Sequence, residues 1–496
     1  MRIRGIAVIV AILFIMGLTV PVMAASANAS LRKGIEYYKS GDLAAATAEV
    51  QKAVEIDADN ASARSWLGFL LLKQNKGADA VAHLQRASEL LPKDSEVWNN
   101  LGTAYLLISE TQKAAAAYAE AVKIKPNSAD YVYNLANAKL RLGDAAEAEK
   151  LFKQAKTLKP NDSNILNNLG LALQQQNKLD EAVTNFKAAV DLDPDNPTFV
   201  LNYGTALKAK GDKAAAKQAF EKLAKISTDN YYAHVALGEI LAESGQTDAA
   251  IQNYQQAASL RPEQFAPHYN LGMLLAKQGK HKAAVDSYAA ALRVRPTDVE
   301  TMAGLGWSLY KSGRVEDAIK QLNVAVEQDP ASLNAQKRLA TIYSYENEAA
   351  EDEALKSRYR TGGIAAWTQV IKLSPEDTAA HVNLANLYLD AGQIDRAAEE
   401  YQAAITVDPN SSQARLGLGL VLVEQGKLQE AIEQYKYLVN AHPKMASAYN
   451  NYGVALEKNG LVEEAREQYK KALDLDPDYS DAKANLARLE PAIERE

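Results

Sequence analysis

A 34-residue pattern returns thirteen times along this 496-residue chain, from about residue 27 to residue 479. Its phase shifts only once, by eleven residues. Such a period indicates a stack of similar small repeats, each of which buries its apolar face against the next, rather than a globule built around one core.

Each repeat predicts two helices joined by a turn. Four positions spaced three, one and three residues apart share a stripe of the first helix, and in the copy that begins at Ser95 they are Trp98, Leu101, Gly102 and Tyr105. A second stripe on the second helix comprises Ala114, Tyr118 and Ala121. The proline at Pro126 ends the second helix, because proline lacks an amide hydrogen. Positions are numbered below from the equivalent of Ser95.

Counting residues at fixed positions supports this phase. Position eight is Gly or Ala in all thirteen repeats, and position twenty is Ala in twelve of them, with Gly363 as the exception. Eleven of the fifteen prolines occupy the position of Pro126. Small residues at fixed points let two helix axes approach to about 8 Å. The sequence therefore predicts a stack of helical hairpins.

This pattern resembles the tetratricopeptide repeat (TPR) family over nearly the whole chain beyond residue 27. The resemblance implies an all-helical, right-handed superhelical solenoid of about thirteen helix pairs, in which the first helix of each pair lines a concave groove. Departures are local: Ala58 and Thr228 replace the proline in repeats 1 and 6. Residues Ser480 to Leu489 resemble the polar helix that closes such arrays, ahead of Pro491.

The amino terminus predicts export. Arg2 and Arg4 precede an apolar run from Ile6 to Val20, and small residues around Ala24 suit a signal peptidase. We expect a signal peptide over residues 1–24 and a periplasmic or extracellular protein. An uncleaved anchor in the inner membrane is the alternative, since residues 5–25 are long enough to span a bilayer.

The phase shift marks a charged insertion at residues 346–360. It divides the array into residues 27–345 (repeats 1 to 10) and 361–479 (the rest of repeat 10 and repeats 11 to 13), followed by a closing helix and tail at 480–496. The insertion is acidic first and basic afterwards. It is either a solvated extension of the hairpin, a docking element or a hinge. Deleting Glu348 to Tyr359 is expected to preserve folding in each case and to weaken partner binding only if the insertion is a docking element or a hinge.

The first candidate site is a series of asparagines at position six, on the face that the family resemblance assigns to the groove. They are Asn100, Asn134, Asn168, Asn202 and Asn270, with Asn383 and Asn451 further on. Asparagine is about 0.5 kcal/mol less favourable than alanine inside a helix, so a compensating hydrogen bond is expected. The partner is either a neighbouring repeat or the backbone of a bound peptide, as in the asparagine ladder of O-linked glycosaminyl transferases that share this repeat.

The second candidate site is a group of large side chains on the same face of repeats 8 and 9: Tyr269, Met273, Trp307 and Tyr310. Aromatic side chains grouped on a concave surface can anchor an apolar side chain of a partner. The alternative is that the rings cover the seams between adjacent first helices.

Other classes of function find little support. A net charge of −7 disfavours nucleic acid as a ligand. The chain has no cysteine, and His234, His268 and His381 all occupy the position of Trp98, which indicates packing rather than metal ligation. We expect no catalytic residue, metal or cofactor. The family's clamp for chaperone carboxylates is expected to be absent, since Lys337 alone fits it.

The sequence therefore predicts a non-enzymatic scaffold of the cell envelope that binds other proteins or peptides in its groove. One alternative is an accessory subunit that presents substrate to a separate envelope enzyme, in polysaccharide synthesis or secretion. Another is a structural protein that self-assembles into homo-oligomers. A membrane would be contacted only through an uncleaved amino-terminal segment.

Overall fold

The computed structural model describes residues 23–489, which are helical apart from short turns and contain no β-strand. They fall into two compact units that meet in sequence at Glu243 and Ser244. In the N-terminal unit, helical residues 23–39 form α1. The following helices are α2 Leu43–Ile56, α3 Ala61–Lys73, α4 Gly77–Leu90, α5 Ser95–Leu107, α6 Thr111–Ile124, α7 Ala129–Arg141, α8 Ala145–Leu158, α9 Ser163–Gln175, α10 Leu179–Leu192, α11 Pro197–Lys210, α12 Lys213–Ile226 and α13 Tyr231–Glu243.

The C-terminal unit continues with the same alternation of first and second helices. Its helices are α14 Thr247–Leu260, α15 Phe265–Lys277, α16 His281–Val294, α17 Val299–Lys311, α18 Val315–Gln328, α19 Leu333–Ala349, α20 Glu353–Leu373, α21 Thr378–Asp390, α22 Ile394–Val407, α23 Ser412–Glu424, α24 Leu428–Ala441, α25 Ala446–Lys458, α26 Val462–Leu475 and α27 Ser480–Leu489. The predicted class, an all-helical array of paired helices, is confirmed.

Turn chemistry repeats with the pattern. In twelve repeats the residue two positions before the second helix has a positive φ, and it is glycine in nine of them, as at Gly143 (φ 81°). Asn75, Ser109 and Asn177 adopt the same left-handed conformation in three repeats without that glycine. Asparagine tolerates this conformation better than most residues, so the turn keeps its geometry when glycine is lost.

The small residue at position eight makes the hairpin compact. A Cβ atom added to Gly102 would lie 2.7 Å from the ring of Tyr118, and one added to Gly170 would lie 2.7 Å from the ring of Phe186. Both rings come from the second helix of the same repeat. A Cβ atom at either glycine would therefore displace the ring at position twenty-four, whereas Ala136, Ala340 and Ala385 show that other repeats accommodate one methyl group at position eight.

The hairpin of repeat 10 departs from the standard lengths. Helix α19 has 17 residues and α20 has 21, whereas α5 and α6 have 13 and 14. The surplus is four residues in the first helix and seven in the second, which accounts for the eleven-residue phase shift. The charged insertion at 346–360 is thus a helical extension of the hairpin joined by a three-residue turn, residues 350–352.

Neighbouring repeats hold this extension on two sides. Arg358 forms a two-pronged ion pair with Glu316 of α18, at 2.7 and 3.0 Å, and the hydroxyl of Tyr359 donates to the same carboxylate. On the other side, Asn347 donates to Asp390 at the end of α21. Contacts with both neighbours favour the extended-hairpin interpretation over a hinge.

At the carboxyl end, α27 packs against the last repeat. Asn485 donates to Asn450 at 3.0 Å, and Arg466 of α26 donates to the carbonyl oxygen of Leu489 at 2.9 Å. Pro491 lies outside the described residues, as do residues 1–22 of the predicted export signal. None of the described helices combines the length and the apolar character that a bilayer crossing requires.

Candidate functional site

The asparagines at position six make hydrogen bonds between successive first helices. The amide of Asn134 donates to Oδ1 of Asn99 at 2.8 Å, and that of Asn202 donates to Oδ1 of Asn167 at 2.8 Å. Asn168 donates to Oδ1 of Asn137 at 2.7 Å and also lies 3.0 Å from the hydroxyl of Tyr133. We call Asn134, Asn168 and Asn202 the asparagine row. In these three repeats the compensating partner is the preceding repeat.

These hydrogen bonds do not use every donor and acceptor of the three side chains. An amide group carries two N–H donors and a carbonyl acceptor, and the three asparagines of the row remain partly exposed. Asn100 and Asn270 differ from the row, because neither forms a side-chain hydrogen bond with any other residue that the structure describes. Asn100 faces solvent in a pocket of the N-terminal unit.

That pocket contains three aromatic rings that the sequence analysis did not single out. Tyr38, Trp66 and Phe69 meet edge to face, with ring centroids 5.4 to 5.7 Å apart. The cavity they share with Asn100 measures about 230 Å³ and lies on the first helices of repeats 1 to 3. We call it the N-terminal aromatic pocket. Trp66 occupies position six and Phe69 position nine, so the reasoning that selected Trp307 would also have found them.

Polar groups rim the N-terminal aromatic pocket. Asp94 and Glu96 lie on one side, where Asp94 caps α5 by accepting hydrogen bonds from two backbone amides. Ser62 and Ser65 supply hydroxyl groups on the adjacent helix. Aromatic walls with a few polar groups at the rim are typical of sites that bind an apolar or amphipathic side chain.

The aromatic group predicted in repeats 8 and 9 divides into two parts. Trp307 and Tyr310 contact each other, with ring centroids 5.6 Å apart. Tyr269 instead stacks on Phe265 at 5.5 Å. Met273 is 45% exposed.

Two cations cover the Trp307–Tyr310 pair. The ammonium group of Lys311 lies 4.9 Å from the ring of Trp307 and 5.5 Å from that of Tyr310. The guanidinium of Arg338, which occupies position six of repeat 10, lies 5.8 Å from the Trp307 ring and donates to the carbonyl oxygen of Ala303. Burial lowers the pKa of Arg338 from its ordinary value. Because these rings already bind cations, they are less available to a ligand than the N-terminal aromatic pocket.

Different side chains at the position of Trp98 make the same hydrogen bond, which their residue types alone do not reveal. Trp98 donates its indole N–H to the carbonyl oxygen of Pro92 at 3.1 Å, six residues earlier. The same i to i−6 hydrogen bond is made by His234, His268, Gln336, His381 and Arg415. The three histidines thus use a ring nitrogen to hold the junction between repeats.

Lys337, which alone fits the carboxylate clamp, takes a structural role and pairs with Asp377 at 2.5 Å. Across residues 23–489 the structure contains no group of three or more His, Cys, Asp or Glu side chains arranged to hold a metal ion.

Comparison with known families gives consistent matches along the chain. A profile described as tetratricopeptide repeat matches residues 113–163, 133–197, 167–231, 269–333, 352–412, 382–439 and 416–480. Related tetratricopeptide and TPR repeat profiles match residues 37–102, 95–128 and 238–279. No curated protein sequence is significantly similar to this chain.

Solved structures of similar repeat proteins cover parts of the chain. A tetratricopeptide repeat protein from Parabacteroides merdae is 18% identical, and the alignment covers 51% of this chain and 99% of that one, with a TM-score of 0.39. Pseudomonas aeruginosa pilF is 19% identical over 45% of this chain and 99% of its own, with a TM-score of 0.38. YrrB, described as a TPR protein with an unusual peptide-binding site, is 24% identical over 38% and 96%, with a TM-score of 0.35.

Proposed function

Because the chain belongs to the tetratricopeptide repeat family, we propose that it is a non-enzymatic scaffold that binds an extended segment of a partner protein. The segment lies along the first helices of repeats 1 to 6. The observation that carries this proposal is the N-terminal aromatic pocket, which opens beside Asn100 on the helix face that also bears the asparagine row.

The size and walls of the N-terminal aromatic pocket suit one amino-acid side chain. Its volume of about 230 Å³ is below the range of about 300–1,000 Å³ that is typical of pockets for drug-sized ligands. Trp66, Phe69 and Tyr38 offer ring faces and edges that a leucine, methionine or aromatic side chain would cover. We infer that an apolar side chain of the partner is the anchor.

The adjacent amides suit the partner's backbone. Asn100 has both N–H groups and its carbonyl oxygen free of other described residues, so it can donate to and accept from a peptide unit. Asn134 and Asn202 keep hydrogen-bonding capacity beyond their bracing bonds, whereas Asn168 already donates to two acceptors and accepts from Asn167. Contacts of this kind recognise an extended chain without reading its sequence, so the apolar anchor supplies the selectivity.

The proposed location is the outer side of the cytoplasmic membrane. The support is the order of charge and hydropathy in the first 24 residues, where Arg2 and Arg4 precede the apolar run that ends at Val20. Sequencing the amino terminus of the protein recovered separately from envelope and cytosolic fractions would test this. A mature chain that starts near residue 25 would support export, and a full-length chain in the cytosol would contradict it.

Peptides selected for binding to the full chain provide the test of function. We expect Trp66→Ala to weaken their binding about 30-fold, since truncating a central aromatic anchor costs about 2 kcal/mol. Tyr345→Ala is the matched control, because Tyr345 is 49% exposed on α19 in the other unit. Equal affinities of the wild type and the Trp66→Ala variant would remove the N-terminal aromatic pocket from the proposal.

A second pair of variants separates binding from bracing. Asn100→Ala removes an amide with no described partner, so we expect weaker peptide binding and an unchanged melting temperature. Asn134→Ala removes a hydrogen bond to Asn99 and is expected to lower the unfolding free energy by about 1 kcal/mol. Calorimetric titration and thermal unfolding measure the two effects. Unaltered peptide affinity in the Asn100→Ala variant would contradict the backbone contact.

A further inference from the structure

The helical extension of repeat 10 builds a polar pocket that a standard hairpin would not form. The extra turn of α19, residues 346–349, forms one wall, and α21 of the next repeat forms the other. The cavity measures about 250 Å³. Its polar lining consists of Ser344, Asn347, Glu348, Asn383, Asn386 and Asp390. We call it the insertion pocket.

A buried acceptor in the insertion pocket has no partner. Asn347 is only 1% exposed, and its Nδ2 donates to Oδ2 of Asp390 at 2.6 Å. Its Oδ1 atom is buried and accepts no hydrogen bond from any residue in the described part of the chain. Turning the amide over would place Oδ1 against the Asp390 carboxylate, so the amide is held in this orientation. A buried acceptor in this state favours a ligand that brings a donor.

The charges around the insertion pocket are mainly negative. Neither Glu348 nor Asp390 forms an ion pair with another described residue, and Glu348 is exposed at the rim. The cation beside this wall is Arg360, which donates to the backbone carbonyl of Asp390 at 3.1 Å. One guanidinium beside two carboxylates leaves the insertion pocket with a net attraction for a cation.

We propose that the insertion pocket binds a primary alkylammonium group, presented by a lysine side chain of a partner protein or by a free polyamine. An ammonium group has three N–H donors and no acceptor. Its three donors match Oδ1 of Asn347 and the carboxylates of Asp390 and Glu348. The four-carbon stem of a lysine fits beside Leu387 and Leu389, which form the apolar part of the lining.

This inference goes beyond the binding of a segment along repeats 1 to 6. It concerns residues of the C-terminal unit and can be tested with small amines. Failure of amine binding would therefore leave the N-terminal aromatic pocket untouched, and failure of peptide binding there would leave the insertion pocket untouched.

Calorimetric titration of the full chain at 150 mM salt tests the proposal. The probes are 1,5-diaminopentane, a short peptide with one lysine and a blocked amino terminus, and the same peptide with that lysine acetylated. We expect the diamine and the lysine peptide to bind with one site each and the acetylated peptide to bind at least tenfold more weakly, because acetylation removes the charge and two of the donors. Tighter binding of the peptide than of the diamine would identify a protein partner as the source, and the reverse order a free polyamine.

Three variants assign the binding to these atoms. Asn347→Leu removes the buried acceptor, and Glu348→Gln removes an exposed charge without changing side-chain shape. Each is expected to weaken binding about tenfold, as expected when one charge-assisted contact is lost. Glu351→Gln is the matched control, because Glu351 is an exposed carboxylate of the same extension outside the lining. Circular dichroism establishes that each variant is folded, and Glu348→Gln provides the test should Asn347→Leu unfold.

The opposite results would overturn the proposal. They are equal binding of the acetylated and unmodified peptides, no amine binding by the wild type, or weakening by Glu351→Gln equal to that by Glu348→Gln. Calcium chloride is the final arm: binding of Ca²⁺ at the insertion pocket without any amine binding would assign the oxygens to a metal ion instead and would also overturn it.

Discussion

At the scale of single residues, Glu149 shows how one repeat can hold a charge inside the stack. Its side chain is 9% exposed and pairs with Lys153 of the same helix at 2.5 Å and with Lys178 of the next repeat at 2.7 Å. Gln176 donates a further hydrogen bond at 2.8 Å. Burial opposes the charged form, but the hydrogen bonds from the two lysines and Gln176 outweigh it and lower the pKa of Glu149 to about 2.

This arrangement predicts a pH dependence of stability. Because the folded-state pKa of Glu149 is depressed, its contribution is fully present above the unfolded-state value near 4.5 and is lost as the pH falls towards about 2. The contribution is at most about 3 kcal/mol, and partial exposure of both lysines reduces it. We expect Glu149→Gln to lower the urea midpoint at pH 7 and to approach the wild type near pH 2.

Glu147→Gln is the control for this measurement, since Glu147 is a half-exposed carboxylate on the same helix that pairs with Lys150. A difference between the Glu149→Gln variant and the wild type that stays constant from pH 7 to pH 2 would show that the depressed pKa does not stabilise the fold.

At the position of Trp98, residues of different types share one structural role. Tryptophan, histidine, glutamine and arginine side chains share one role there, because each brings an N–H group to the carbonyl six residues earlier. Comparing residue types along the sequence does not identify this role, since these residues differ in size, charge and hydropathy. The role is identified only in the structure, where the carbonyl oxygen that accepts the hydrogen bond lies beside each side chain.

At the scale of helices, the eleven extra residues of repeat 10 are divided so that the helical phase is kept. Four residues advance a helix by about 400° and seven by about 700°, which is close to one and two whole turns. The faces of α19 and α20 that pack against each other therefore continue into the extension. Tyr359, on the added part of α20, lies 6.4 Å from the ring of Tyr343 and is 7% exposed.

A pair of deletions tests this division. Removing residues 346–349 and 353–359 leaves the three-residue turn and both helical phases intact, so we expect the melting temperature to fall by only a few degrees. Removing Glu348 to Tyr359 takes out twelve residues and leaves one residue too few for the turn. We expect this variant still to fold, but its melting temperature to fall clearly further, because one residue rotates the following helix by about 100°.

Thermal unfolding followed by circular dichroism measures both variants. Equal melting temperatures would show that the phase of the hairpin tolerates a one-residue change and would contradict the division into four and seven.

At the scale of the whole molecule, stability along each stack depends on contacts between neighbouring repeats. In such arrays a terminal repeat lacks one neighbour, and a polar helix covers its exposed face. Here α27 buries Ala482 and packs Leu486 and Leu489 against the core of the C-terminal unit. The hydrogen bond from Asn485 to Asn450 continues the pattern that links first helices elsewhere.

Ending the chain at Tyr479 should therefore loosen the last hairpin first. We expect amide hydrogen exchange in α25 and α26 to become faster by more than tenfold, with little change in α1 to α13, because a solenoid loses its end repeats before its middle. A chain ending at Leu489 is the control. Faster exchange spread evenly over the chain would contradict nearest-neighbour stabilisation.

The sequence by itself determined the repeat, the hairpin and the helix ends. These depend on contacts within one repeat, such as Gly102 against Tyr118, and so they impose a fixed spacing along the chain. The family resemblance followed from the same spacing, and the resemblance implied the closing helix. The export signal and the groove-binding residues stay predictions.

Only the tertiary structure decided which side chains of different repeats meet. Residues about 35 apart become neighbours, as Asn134 and Asn99 do, and the outcome depends on how one hairpin sits on the next. The ring cluster of Tyr38, Trp66 and Phe69 and the unpaired Oδ1 of Asn347 arise in this way. A periodic pattern records what every repeat shares, whereas a binding site depends on where single repeats differ and on the residues placed opposite them.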